Sequence, residues 1–343
     1  MNILVVRFLT AVFIGLFLFG CASTSEAEVI TPTSTQQLKT PTETAAILAQ
    51  PEPLPTLISP SMTPEPEEDF IVQIMDMAAC EELFCQVAWP GMLERPVAQG
   101  DENTIDFSYL YANTKQSTLP PHHGIEFLDA NGTPVFAAAP GEVVFAGQDY
   151  EILLGPYFGF YGEVVVIRHQ GLLFESQDVY TLYGHLSHID VVQGQFVDTG
   201  EKVGEIGMSG FAEGPHLHFE VRLEENDYLN TVNPVLWFEP RVVEGMGQTS
   251  LLAGVVINHH GDLVPEFQIT LEKIDVNGDA TRYFYPETYT LNGINSHPLL
   301  GENFAFPDIP AGNYRLSFIL GRLYENHFTI DPGSLGFIKI QFD

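Results

Sequence analysis

From residue 120 to 240 the apolar residues come in short runs cut by glycine and proline. The runs are Pro134 to Ala138, Gly141 to Gly147, Glu163 to Arg168, Val179 to Tyr183 and His216 to Arg222. Runs of this length, rich in Val, Ile, Tyr and Phe and bounded by turn formers, predict strands. Few windows show helical spacing, so the pattern predicts a mainly β chain with an antiparallel core over 119–243. A second strand pattern begins near 249, with Leu251 to Ile257, Phe267 to Glu272, Tyr314 to Phe318 and Phe337 to Ile340. It predicts a small β-sandwich over 249–343.

Upstream the pattern changes. Residues 22–67 are dominated by Thr, Pro, Ser, Ala and Glu and carry too little periodic apolar content to bury a core, which predicts an extended, disordered tether. Residues 68–118 regain apolar character around Phe70 to Val72 and read as a lead-in packed on the next domain. Residues 1–21 read as an export signal. Arg7 precedes Phe8 to Phe19, apolar apart from Thr10 and short for a membrane span. The signal ends in Leu18-Phe19-Gly20-Cys21, which resembles a bacterial lipoprotein box and implies lipidation of Cys21 and attachment to a membrane at the cell envelope.

Composition narrows the partners. With 45 acidic against 13 basic residues the formal charge is −32, so the surface repels phosphate backbones and nucleic acid is excluded as a partner. The other two cysteines, Cys80 and Cys85, lie five residues apart, and an exported location favours their pairing as a disulfide over a zinc pair that lacks two further ligands.

The candidate chemistry lies in three short motifs: His122-His123-Gly124-Ile125-Glu126, Tyr183-Gly184-His185-Leu186-Ser187 and Gly214-Pro215-His216-Leu217-His218-Phe219. In an extended strand the side-chain period is two, so His122 and Glu126 share a face, as do His216 and His218. Two neighbouring strands can then aim two imidazoles and a carboxylate at one point and leave a fourth direction to water. That is the ligand count of a catalytic zinc site, where the ion lowers the pKa of its water to about 7.

These motifs resemble the M23 (LytM/lysostaphin-like) zinc metallopeptidases, which cut peptide cross-links in bacterial cell walls. The resemblance runs from about Trp89 to Trp237 and includes Gly132-Thr133-Pro134-Val135, Gly200-x-x-Val203-Gly204-x-Ile206-Gly207, Ser209-Gly210 and Asn233-Pro234. It implies one Zn2+ held by His122, Glu126 and His218, with His185 and His216 as the catalytic histidines, and peptidoglycan peptides as substrate. The family usually has Asp where this chain has Glu126, whose extra methylene moves the carboxylate by more than about 1 Å. A non-catalytic module that binds wall peptide or regulates another wall hydrolase is the alternative this departure leaves open. His123, His169, His188, His259, His260, His297 and His327 read as surface or structural, and Tyr183 as packing more than as a cleft residue. The last 95 or so residues resemble carboxypeptidase-regulatory-like and transthyretin-like β-sandwiches through Pro310-Ala311-Gly312 before a strand, which implies a spacer or binding module.

Overall fold

The protein is described by a computed structural model that covers residues 83–98, 104–172, 177–290 and 293–342. The expected signal and lipobox with Cys21, the tether, most of the lead-in and Cys80 lie outside the described residues. Cys85 is disulfide-bonded. The described part is built of strands, with two short 3-10 turns, Tyr228–Asn230 and Pro234–Trp237, as its helical elements. Among the described residues no helix is long and apolar enough to cross a membrane.

The largest sheet has ten strands. Its central path runs Thr104–Ile105, Ile125–Leu128, His216–Leu223, Asp178–Ile189, Glu163–Gln170, Gly141–Gln148 and Phe196–Val197. Its strands pair antiparallel, as expected. Period-two burial fixes the register: Ile125 and Phe127 are fully buried beneath the strand, while Glu126 and Leu128 point to the other face. Likewise Leu217, Phe219 and Val221 enter the core, and His216, His218, Glu220 and Arg222 line the opposite side. Phe127, Phe219 and Phe238 pack ring to ring, at 5.5 to 6.3 Å between centroids, and anchor both site strands from below. Each such ring contributes about 1.5–3 kcal/mol of burial.

Two further sheets are built mainly of C-terminal residues. One comprises Phe84–Ala88, Ser334–Gln341, Gly247–Ile257, Val242–Val243 and Phe304–Pro310; the other comprises Ala280–Phe284, Thr270–Ile274, Gly312–Leu320 and Arg322–Ile330. Leu252, Phe304 and Ile338 from the first share an apolar cluster with Leu271, Tyr314 and Leu316 from the second. Pro310, Ala311 and Gly312 make the corner between two strands, where the sequence puts a turn.

Three details depart from the sequence pattern. Gly247–Ile257 pairs with Ser334–Gln341 in parallel, a direction the strand pattern from 249 onward does not specify. Phe84–Ala88, read as part of a lead-in to the following domain, pairs instead with Ser334–Gln341. His122 and His123 precede the strand, which starts at Ile125, so strand alternation alone does not place His122.

Candidate metal centre

Glu126 and His218 are directly opposed partners in neighbouring strands, and His218 is opposed on its other side by Gly184. Cross-strand neighbours bring their side chains within about 5 Å, so this register puts the carboxylate against the imidazole. His122 reaches the same point from the irregular approach, held by its Nδ1 donating to the Tyr109 carbonyl at 2.7 Å and by the Tyr109 ring stacked at 4.1 Å. Gly124 between them has no freedom to be larger. A Cβ there would lie 2.5 Å from the Phe219 carbonyl and 2.8 Å from the His218 ring.

His122, Glu126 and His218 form the one such group of potential metal ligands among the described residues. Glu126 Oε1 lies 3.0 Å from His122 Nε2 and 3.2 Å from His218 Nδ1, and the two nitrogens are 3.3 Å apart. A tetrahedral ion with bonds of about 2.0–2.1 Å separates its ligand atoms by about 3.3–3.4 Å, so this triangle fits one face of such an ion. The tautomers point the same way. His122 spends its Nδ1 proton on Tyr109, and His218 Nε2 donates to Glu220 Oε1 at 3.0 Å. Both inward nitrogens therefore turn to each other and to a carboxylate, a place that holds a cation, either a proton or a metal ion.

Electrostatics agree. Burial raises the Glu126 carboxyl, but His218, His122 and His216 outweigh it and hold the group well below the usual carboxylate range. Burial lowers His218, yet Glu126 and Glu220 outweigh that and lift it to about 9. The position favours positive charge, for which a proton and a metal ion compete.

Two more histidines face the triangle. His185 sits within Asp178–Ile189 rather than in a turn, but in the left-handed region at φ 61°, where the strand is bulged between Leu186 and His188. This twist, costly for a residue with a Cβ, lets His185 Nδ1 donate to the Ser209 carbonyl at 2.8 Å and frees Nε2. His216 Nδ1 donates to the Gly214 carbonyl at 2.8 Å, and its Nε2 lies 2.6 Å from Glu126 Oε2. The two rings are 4.8 Å apart at their centroids. Burial above all, with His218 and His216 adding to it, lowers His185 to about 3, so it is a neutral imidazole at physiological pH.

A family model described as peptidase family M23 matches residues 120–234. These residues form an M23 peptidase domain. DD-carboxypeptidase/endopeptidase Mpg of Neisseria meningitidis serogroup B is 40% identical over 114 residues, which are 33% of this chain and 22% of Mpg. Peptidoglycan DD-endopeptidase ShyA of Vibrio cholerae is 39% identical over 119 residues, 35% of this chain and 24% of ShyA. The lipoprotein YgeR of Escherichia coli is 30% identical over 118 residues, 34% of this chain and 39% of YgeR. The chain thus spans about a fifth to two fifths of the length of these relatives. A crystal structure of a zinc containing peptidase from Vibrio cholerae is 28% identical with a TM-score of 0.32, covering 41% of this chain and 38% of that one.

The M23 domain contains supporting residues that motif reading passed over. Glu220, with no exposed surface, accepts from Tyr161 Oη, from Arg222 Nε at 2.8 Å and from His218. Arg222 Nη2 also donates to Tyr161 Oη at 3.0 Å and to the Leu154 carbonyl at 2.9 Å. The signal was present: in a strand, Glu220 and Arg222 fall on the face of His216 and His218, and charged residues facing a buried site must be paired. Tyr109 and Ser209 act through backbone carbonyls, which side-chain chemistry cannot announce. Tyr183 is buried and its hydroxyl accepts from Ala138 N at 2.9 Å, the packing role expected of it. His123, His169 and His297 are buried structural residues, whereas His188 and His327 sit in exposed ion pairs.

Proposed function

We propose that the M23 domain is a zinc-dependent endopeptidase that hydrolyses peptide bonds in bacterial peptidoglycan, in a chain exported to the cell envelope and anchored there through a lipidated Cys21. The observation that carries the reading is the convergence of His122 Nε2, His218 Nδ1 and Glu126 Oε1 within 3.0 to 3.3 Å of one another, with two anchored imidazoles beside them. The names of the relatives Mpg and ShyA support the substrate class.

His122, Glu126 and His218 would hold one Zn2+, which when bound supplies a Lewis acid and a water acidic enough to attack a carbonyl near neutral pH. His185, kept neutral by burial and oriented by Ser209, presents Nε2 as an acceptor that can take a proton from the attacking water. His216, oriented by Gly214, is placed to stabilise the charge that develops on the carbonyl oxygen and to return a proton to the leaving amine. Glu126 supports this role despite its length, because its Oε1 reaches both ligand nitrogens from the strand.

The test is zinc per chain together with release of peptide amines from purified wall, for wild type, Glu126→Ala, Glu126→Asp and His216→Ala. The reading expects near-stoichiometric zinc and cleavage in wild type, zinc lost in Glu126→Ala, and zinc kept without cleavage in His216→Ala. Zinc bound with no cleavage of any wall preparation would instead favour the non-catalytic binding module.

A further inference from the structure

Two segments form a lip beside the histidine cluster. One joins the strand ending at Gln148 to the strand beginning at Glu163, and the other joins Ile206 to His216. They are fastened together. Phe211 N donates to the Phe160 carbonyl at 2.8 Å, Glu163 N donates to Ser209 Oγ at 2.8 Å, and Gly162, at φ 72°, lies flat against the backbone of Ser209 and Gly210. Asp149 has no exposed surface and braces the first segment by accepting from Tyr161 N at 2.9 Å and Gly162 N at 3.0 Å. The lip is a fixed structure rather than a slack connection.

Its exposed side chains are unusually apolar: Tyr157, Phe158, Met208 and Phe211 are 46%, 60%, 54% and 67% exposed. Tyr157 meets Phe160 and Phe211 edge-on at 5.2 and 6.2 Å, and Phe160 stacks on Phe211 at 6.3 Å. Phe160 also meets the His185 ring edge-on at 6.3 Å, so the aromatic face is continuous with the catalytic histidine. A clustered apolar face kept in water marks an interaction site.

Charge selects among partners. No Lys or Arg occurs from 143 to 167 or from 203 to 221, whereas Glu151 and Glu213 are exposed on these same two segments. Apolar patches that enter bilayers use Lys and Arg to meet anionic headgroups, and this lip has the opposite sign. Flat aromatic faces edged by carboxylate acceptors suit a neutral pyranose, whose C–H face is apolar and whose rim donates hydroxyl hydrogens.

We propose that this lip is a docking platform for the glycan strand that carries the scissile peptide, with pyranose faces on Tyr157 and Phe211 and hydroxyls donating to Glu151 and Glu213. The proposal rests on the peptidoglycan reading above. It gives the M23 domain a handle on substrate that the cleft alone lacks: the strand is held while the peptide enters.

The test titrates the full chain with tetra-N-acetylchitotetraose, a peptide-free saccharide, by calorimetry, for wild type and Tyr157→Ala/Phe211→Ala. Zinc content and near-UV circular dichroism establish that the variant is folded. Saturable binding weakened at least tenfold in the variant is expected. A second arm compares cleavage of intact wall with cleavage of a glycan-free cross-linked peptide: the variant should lose about tenfold on wall through KM and keep its rate on the free peptide. Absence of saccharide binding by wild type, equal binding by the variant, or co-sedimentation with phosphatidylglycerol vesicles that requires Tyr157 and Phe211 would overturn the platform. Were wild type to cleave neither substrate, the peptidase reading would fail while the saccharide titration still decided the lip.

Discussion

Replacing Glu220 by glutamine removes one negative charge from the fully buried group behind His218 while keeping the side chain's shape. Three donors lose their charged acceptor at once: His218 Nε2 at 3.0 Å, Arg222 Nε at 2.8 Å and Tyr161 Oη. Burial raises the Glu220 carboxyl, but Arg222 and His218 outweigh it and hold the group at about 2, against an ordinary 4.5. That difference corresponds to about 3 kcal/mol of native-state preference for the ionised form. Because the folded value is depressed, this stability is present above about pH 4.5 and fades as pH falls toward 2. The same scale follows from Arg222, left buried without its counter-charge, for which losses of about 3–5 kcal/mol are usual. At the site, a ligand imidazole deprived of its carboxylate partner binds metal about 10 to 100-fold more weakly, because its tautomer and basicity are no longer set. The assay is zinc competition against a calibrated chelator at pH 7.5, run on protein shown by urea titration to be folded at the assay temperature. Zinc affinity of Glu220→Gln within twofold of wild type would refute the idea that Glu220 orients His218.

His185→Ala and His216→Ala should each retain zinc and lose about 10²–10⁴-fold in kcat on wall peptide, measured by amine release. Gly124→Ala, whose Cβ would lie 2.8 Å from the His218 ring, should cost about 1–3 kcal/mol in urea and lower zinc content, because the ring must move to make room. His169, fully buried with Nδ1 donating to the Pro140 carbonyl at 2.8 Å, is lowered to about 4 chiefly by burial. Its stabilisation of about 3 kcal/mol is therefore complete above pH 6.5 and lost as pH falls through 4, so the urea midpoint should drop over that window and drop less in His169→Gln. Asp149→Ala, by freeing the amides of Tyr161 and Gly162, should increase hydrogen exchange across 150–162 before it affects the core, read by mass spectrometry.

The sides taken by Glu126, His216 and His218 were legible because their pattern is local: Glu126 alternates with buried Ile125 and Phe127, and His216 and His218 with buried Leu217 and Phe219. Period two does not place His122, which precedes its strand, or His185, which sits at a bulge. The strands around 141, 163 and 179 were legible for the same reason, although Asp178–Ile189 extends six residues past Tyr183 because it pairs on both sides. The partner of Phe84–Ala88 was not legible, since nothing local to Phe-Cys-Gln-Val-Ala says that it pairs with the distant strand Ser334–Gln341. Parallel pairing of Gly247–Ile257 with Ser334–Gln341 was hidden likewise: it depends on how distant segments stack, not on either sequence alone.

The strand-rich class, the residue types of the site and their order could be read along the chain, because alternation and turn chemistry act between near neighbours. The tertiary structure decided what distance in sequence conceals. It set the register that opposes Glu126 to His218, the left-handed turn of His185, the carbonyls of Tyr109, Ser209 and Gly214 that fix each imidazole, and the burial that makes Glu220 and Arg222 inseparable. Those features depend on where a backbone carbonyl or a charge ends up in space, and only the packed sheet supplies that information.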